Sequence, residues 1–489
     1  GNLFQGSFTT PYLNHPVSDL FAHYHFDTEH AVIDRLTARS GPATILVEYE
    51  RDGPNRAWQM RAQLEELPID QTIFELLPEG AGQEQLGRMA DLTFSGVAKI
   101  NLRLHGEGGK IAFPVLSARC KDLALSHQVF PFKPDPLNGF LQLEESGRLR
   151  FLFNTEGETR RLTLSGEYRD IADKKGVVRL EAARLPIDAR LIDAVPEDYR
   201  DVITSLHPGG YLGAEIIYTQ NGEEPDNLRM NLALDEASIE YDLFPLPVSG
   251  ITGQVTCENG RWQFTDLAGK SGATQFRANG TAGTFGETSQ FSIDIHADRF
   301  PLGEEFRDAL IDPQQRDLVE KLHLRGAVDA DIRITYLADE DRLHLEVDGE
   351  SRPDETSIQP EPFPYELTDL EGKVRYRDGE LTIDEFRGKN GAAAVTAAIS
   401  SRFEDDGGYT VRAIPFTIDQ LQVDHRLQSA LPPKLFPLFD ELALSGSFNA
   451  SGAIQWHAAD ADAPIEVAWD TDLILFRNAL ECGKPITDI

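Results

Sequence analysis

Three histidines, His23, His25 and His30, stand within the run Phe21-Ala22-His23-Tyr24-His25-Phe26-Asp27-Thr28-Glu29-His30. On a strand, His23 and His25 share one face and make a geometrically possible start to a metal site. The plainer reading is histidines on a polar strand face. The acidic groups Asp339-Glu340-Asp341, Asp460 and Asp462 lack the spacing of a calcium loop and read as solvated turns. Cys120, Cys257 and Cys482 are scattered without a C-x-x-C, which supports neither a disulfide framework nor a zinc site. Asn279-Gly280-Thr281 and Asn449-Ala450-Ser451 fit glycosylation acceptors, a match that means nothing if the source is bacterial. The sequence contains no G-x-S-x-G, no H-E-x-x-H, no P-loop and no G-x-G-x-x-G after a strand. The expectation is a protein that is not an enzyme, with no catalytic residue, metal or cofactor.

The bulk properties narrow the remaining classes. Of the 489 residues, 40% are hydrophobic and 26% charged, which describes a folded chain and not a disordered one. A formal charge of −35 speaks against nucleic acid as a partner and against docking on anionic lipid through a basic patch. No apolar run approaches the ~18 residues needed to cross a bilayer. Residues 1–7, Gly-Asn-Leu-Phe-Gln-Gly-Ser, look like the remnant of a cleaved tag and are set aside. The chain is then expected to be a piece cut from a longer protein.

Two markers repeat along the chain. Leu67-Pro68-Ile69-Asp70 recurs as Leu185-Pro186-Ile187-Asp188, and more loosely as Phe300-Pro301-Leu302-Gly303 and Phe416-Thr417-Ile418-Asp419, at spacings of 118, 115 and 116 residues. Pro16-Val17-Ser18-Asp19-Leu20 resembles Pro247-Val248-Ser249-Gly250-Ile251, Leu367-Thr368-Asp369-Leu370 and Pro485-Ile486-Thr487-Asp488-Ile489. With Leu137 added, this second marker gives spacings of 117, 114, 119 and 119. One period in two unrelated markers means a repeat protein. The repeats divide the chain into a partial first unit 8–66, full units 67–184, 185–299 and 300–415, and a partial last unit 416–489.

Each unit opens with two short helices joined at a proline. Asp312-Pro313 suits an N-cap followed by the first helical position. Phe306, Ala309 and Leu310 precede it, and Leu318, Val319 and Leu322 follow. Pro196, Tyr199, Val202, Ile203 and Leu206 repeat the pattern, as do Pro432, Pro433, Leu438, Phe439 and Leu442. Gly96, Gly209-Gly210, Gly326 and Gly446 then close the helices. Strands of period two follow: Leu228, Met230, Leu232 and Leu234; Trp262 and Phe264; Ile332, Ile334 and Tyr336; Leu343, Leu345 and Val347; Leu381 and Ile383. Such alternation makes a sheet with one wet and one dry face. Asn259-Gly260 and Asp378-Gly379 mark hairpins, and about seven antiparallel strands are expected per unit.

Either a second sheet covers the dry face, giving tandem β-sandwiches, or the sheets join into one trough. The absence of Pro/Ser/Gly-rich spacers at the joints favours the trough. The fold class is therefore mainly β with short helices, a four-period repeat forming an elongated curved β-groove, with tandem sandwiches as the alternative.

The proline-broken helix pair, the exits Leu322-His-Leu-Arg-Gly326 and Leu442-Ala-Leu-Ser-Gly446, and the segment Phe363 to Gly388 with its Asp378-Gly379 turn resemble the AsmA-like proteins, the superfamily of TamB and YhdP. The likeness covers nearly the whole chain and lies in spacing and residue type. It implies a periplasmic bridge, anchored in the inner membrane, whose β-groove conducts phospholipid acyl chains toward the outer membrane. Partners at either membrane would be reached through missing termini. In that picture the dry-face residues just named, Leu228 to Ile383, line the groove, and each fits an ordinary core equally well. Two other readings remain: a structural or adhesive sandwich array, and a scaffold for outer-membrane protein assembly.

Overall fold

The computed structural model describes the chain except residues 11, 12, 14, 54–56, 71–91, 109, 128–131, 156–160, 172, 196, 284–289, 338–341, 362, 404–407, 431–444, 461, 462, 482–484, 488 and 489. It divides into two compact units, residues 1–204 with 208–237 and 254–260, and residues 205–207 with 238–253 and 261–489.

The first unit begins with β1 (Asn2–Phe8), β2 (Val17–Phe26), β3 (His30–Ser40), β4 (Ala43–Asp52) and β5 (Trp58–Asp70). It continues through β6 (Leu92–Glu107), the two-residue β7 (Lys110–Ile111), β8 (Val115–His127), β9 (Leu137–Leu143), β10 (Leu149–Thr155), β11 (Leu162–Asp170) and β12 (Lys175–Pro186). Helices α1 (Ala189–Asp193) and α2 (Glu197–Ser205) lead to β13 (Gly209–Asn221). From β1 to β13 each long strand pairs antiparallel with the next, β6 pairing directly with β8.

β14 (Glu224–Tyr241) and β15 (Phe244–Glu258) give residues to both units. The second unit then runs β16 (Arg261–Ser271), β17 (Thr274–Ala282), β18 (Gln290–Pro301), α3 (Glu304–Ala309), α4 (Pro313–Leu322), β19 (Ala327–Leu337) and β20 (Arg342–Ser351). After these come β21 (Thr368–Arg377), β22 (Glu380–Asn390), β23 (Ala393–Phe403), β24 (Tyr409–Gln422), α5 (His425–Ala430), β25 (Ser445–Ala458), β26 (Glu466–Glu481) and β27 (Pro485–Thr487). β16 to β27 again pair antiparallel in sequence order. Each unit is thus one open sheet, and an unbroken ladder excludes the two facing sheets of a sandwich within it. The tandem-sandwich alternative does not hold.

The period contains six long strands, not seven: β6 with β8–β12, then β13–β18, then β19–β24. Each described helix excursion is pinned at its neck, and the same pairing recurs between β5 and β6. The Ile187 N–H donates to the Gly210 carbonyl at 2.9 Å, Leu302 to Gly326 at 3.0 Å and Val423 to Gly446 at 3.0 Å, while Ile69 faces Gly96 in register. This equivalence corrects one alignment. The fourth copy of the marker is Leu421-Gln422-Val423-Asp424, five residues beyond Phe416-Thr417-Ile418-Asp419. Asp424 accepts the Leu427 N–H at 3.0 Å and starts α5, as Asp188 accepts the N–H groups of Arg190 and Leu191 to start α1. Gly326 sits at φ +105°, and a Cβ there would lie 2.2 Å from the Glu355 carbonyl oxygen, so no other residue fits. Pro196 and the helical residues expected around Pro432, Leu438 and Leu442 lie outside the described residues.

Residues 2–7, set aside as a remnant, form β1 together with Phe8 on the outer edge of β2, with Leu3 facing Ala22 and Phe8 facing Val17. Main-chain hydrogen bonds suffice for this, because an open edge pairs with any extended segment. Leu3, Phe4 and Phe8 stay exposed beside it.

Candidate functional site

Bulges recur along both units, and four of them share one construction. The bulged residues Asp122, Asp266, Arg299 and Gln420 all have φ near +50°. Each donates its N–H to a side-chain oxygen on the next strand: Asn138 at 3.0 Å, Asn279 at 2.9 Å, Asp329 at 2.9 Å and Asn449 at 2.9 Å, respectively. Asn279 and Asn449, which fit glycosylation acceptors by sequence, therefore hold bulges. Bulges bend a strand and strengthen its twist, and they keep the apolar residues on one face across the break.

The result in the second unit is a stripe that crosses the strands. Leu267, Ala278, Ile295, Ile332, Val347 and Tyr376 are successive register partners from β16 to β21. The row continues through Leu381, Ser401, Val411, Trp456 and Val467 to β26. Two residues along each strand lies a second row on the same face, including Phe276, Ala297, Ala330, Val374, Ile383, Ile399, Ile454 and Trp469. Ile334 pairs with Leu345, Tyr336 with Leu343, and Phe264 with Gly280, placing these in neighbouring rows. The opposite face carries cross-strand ion pairs, Arg333 with Asp294 at 2.7 Å and Arg377 with Asp348 at 2.7 Å.

The stripe is not a closed core. Ile332, Ile334, Leu345, Val347, Tyr376, Leu381 and Ile383 are half-buried, and so are Trp262, Phe264 and Tyr336. Leu343 is 53% exposed and Trp469 70% exposed. Leu228, Met230, Leu232 and Leu234 alternate along β14 in the first unit and are also half-buried.

The first unit contains comparable rows that the sequence reading did not single out. Ala22, Leu36, Val47, Ala62, Leu102, Leu116, Leu143 and Leu149 follow one another in register from β2 to β10. Alternation such as Ile100-Leu102-Leu104 was the signal available. Here much of the face is sealed: Leu67, Leu104, Leu137 and Leu149 are at most 1% exposed, and Phe132 and Ala194 join the cluster.

Polar chemistry does not converge on either face. His23, His25 and His30 are exposed and meet carboxylates, with His23 3.4 Å from Asp34, His25 3.7 Å from Asp27 and His30 2.9 Å from Asp52. Among the described residues no three His, Cys, Asp or Glu side chains gather as metal ligands. Burial pushes the Cys120 thiol up to about 11 and raises that of Cys257, which disfavours the thiolate at both. Cys482, Asp339-Glu340-Asp341 and Asp462 lie outside the described residues, and Asp460 is an exposed turn residue. Two cavities, of about 30 Å³ beside Phe132 and Leu185 and about 100 Å³ beside Arg387 and Val395, fall far below the roughly 300–1,000 Å³ of small-molecule pockets. Among the described residues no helix is long and apolar enough to cross a membrane. Compared with known proteins, the chain matches no family model, no curated protein and no solved structure.

Proposed function

We propose that the chain is a segment of a periplasmic, bridge-like protein that conducts phospholipids between the inner and outer membranes along a hydrophobic β-groove. One observation carries the reading: the half-buried apolar rows that run across consecutive strands of the second unit, from Leu267 to Val467. An acyl chain laid along them would gain ~0.8 kcal/mol for each methylene withdrawn from water. The attraction is non-directional, so a tail can shift by one strand without breaking a specific bond. Headgroups would stay in solvent, avoiding the several kcal/mol that burying an unpaired charge costs. The wet face, laced with Arg–carboxylate pairs, keeps the outside of such a channel in water.

A photo-crosslinking residue at Val347, compared with one at Glu346, tests the reading. Phospholipid captured from envelopes at Val347 and not at Glu346 supports it; equal or no capture at the two positions overturns it.

A further inference from the structure

In strands β16–β25 of the second unit, tyrosine and tryptophan keep to one end. The helices enter the ladder at one end of the strands, between β18 and β19 and between β24 and β25, and the opposite end carries turns such as Asn259-Gly260 and Asp378-Gly379. Trp262, Tyr336, Tyr376, Tyr409 and Trp456 are the Tyr and Trp residues of these strands, and each lies within three residues of the turn end. All are half-buried and on the apolar face. Trp262, Ala282, Phe291, Tyr336 and Leu343 are successive register partners. Tyr376 and Trp456 belong to the row through Val347, and Tyr409 stands two residues from Val411 on that row. The first unit repeats the arrangement with Tyr24, Tyr49, Trp58, Tyr168 and Tyr218 at the turn ends of β2, β4, β5, β11 and β13. Tyr211, under the Arg184 guanidinium at 4.3 Å, and Tyr241, at the helix end of β14, are the exceptions.

Tyrosine and tryptophan each join an apolar body to one polar group, which suits them to a boundary between apolar and wet surroundings. A diacyl lipid has such a boundary at its glycerol esters, whose carbonyls accept hydrogen bonds and donate none. The hydroxyls of Tyr376 and Tyr409 and the indole N–H of Trp456 meet no acceptor among the described residues. Burial holds the Tyr409 hydroxyl above the usual phenol range, so at neutral pH it is a donor. Toward the helix end the same face offers Phe276, Ala297 and Ala330, which have nothing to donate. Given the lipid reading above, we infer that the turn end of this face holds the glycerol esters of bound diacyl lipids, with Tyr376, Tyr409 and Trp456 as donors to the ester carbonyls. The acyl chains then occupy the rows nearer the helix end, and headgroups leave the groove on the turn side.

Tryptophan quenching in the full chain tests this, using phosphatidylcholine spin-labelled either beside the glycerol or at the far end of an acyl chain. Trp58→Phe, Trp456→Phe and Trp469→Phe leave Trp262 as the one reporter, at the turn end. Adding Trp262→Phe and Phe276→Trp moves the reporter to the helix end. The expected result is stronger quenching of Trp262 by the label beside the glycerol, and the reverse order with Phe276→Trp. A second readout is competition between ester-linked phosphatidylcholine and its ether-linked analogue. The native chain should favour the ester lipid, and Tyr376→Phe with Tyr409→Phe, which keeps both rings, should cut that preference by about tenfold. Quenching without the expected order would overturn the inference while leaving the groove in place. So would an ester preference absent from the native chain or unchanged in the double variant. No quenching by either label at either position would overturn the groove and the inference together.

Discussion

The side-chain oxygen of Asn449 accepts the main-chain N–H of Gln420 at 2.9 Å, and Gln420 is held at φ +55° in the bulge of β24. The same clamp recurs at Asn138, Asn279 and Asp329, so one local device bends β8, β16, β18 and β24 alike. Asn449→Ala leaves the bulge N–H without its partner and should cost about 1–2 kcal/mol. Asn449→Asp retains an acceptor and should cost less. Urea denaturation of the two variants checks the order.

Glycine at the neck of the helix excursion is a second requirement. Gly326→Ala places a Cβ against the Glu355 carbonyl at a backbone angle that alanine resists. The expected loss is at least about 2 kcal/mol. Gly303→Ala is the control, since nothing lies within 4 Å of a Cβ there. Thermal melts of both should separate them clearly.

The two units should respond differently to cavity formation. Leu67 is 1% exposed and packs within the sealed cluster of the first unit. Leu67→Ala should cost roughly 2–5 kcal/mol. Ile332→Ala in the second unit should cost clearly less, because half-buried Ile332 loses fewer contacts. Equal losses in denaturant would mean that the stripe is an ordinary core.

Acid should weaken the β20–β21 junction. The His344 ring 2.8 Å away, then the Leu345 N–H, hold the Asp378 carboxyl below the usual carboxylate range. A depressed folded pKa stabilises above the unfolded value of about 3.9 and loses that contribution as pH falls through the folded value. The wild-type urea midpoint should therefore fall more between pH 5 and pH 3 than that of Asp378→Asn.

Much of this was legible in residue type alone. The marker around Pro16 and Pro247, the period-two strands and the glycines after the helices all follow from local chemistry. The bulges were not legible. At Leu64-Glu65-Glu66-Leu67 the alternation breaks, because Glu66 at φ +52° takes an extra position while Leu64 and Leu67 keep to one face. Counting alternation across such breaks misjudges strand number, and six strands read as about seven. The fourth marker slipped by five residues for a related reason: β24 carries two register shifts, around Ile414-Pro415 and at Gln420. Whether an apolar face is sealed, as at Leu137, or open, as at Leu345, depends on partners from distant segments that periodicity does not encode.

The most direct test of the central claim is native mass spectrometry of the purified chain, with lipid extraction from the same sample. The account predicts bound phospholipid, lost in an Ile334→Asp, Leu345→Asp variant that keeps its β-sheet circular dichroism. A stable, lipid-free wild type, or lipid retained in the folded variant, would contradict it.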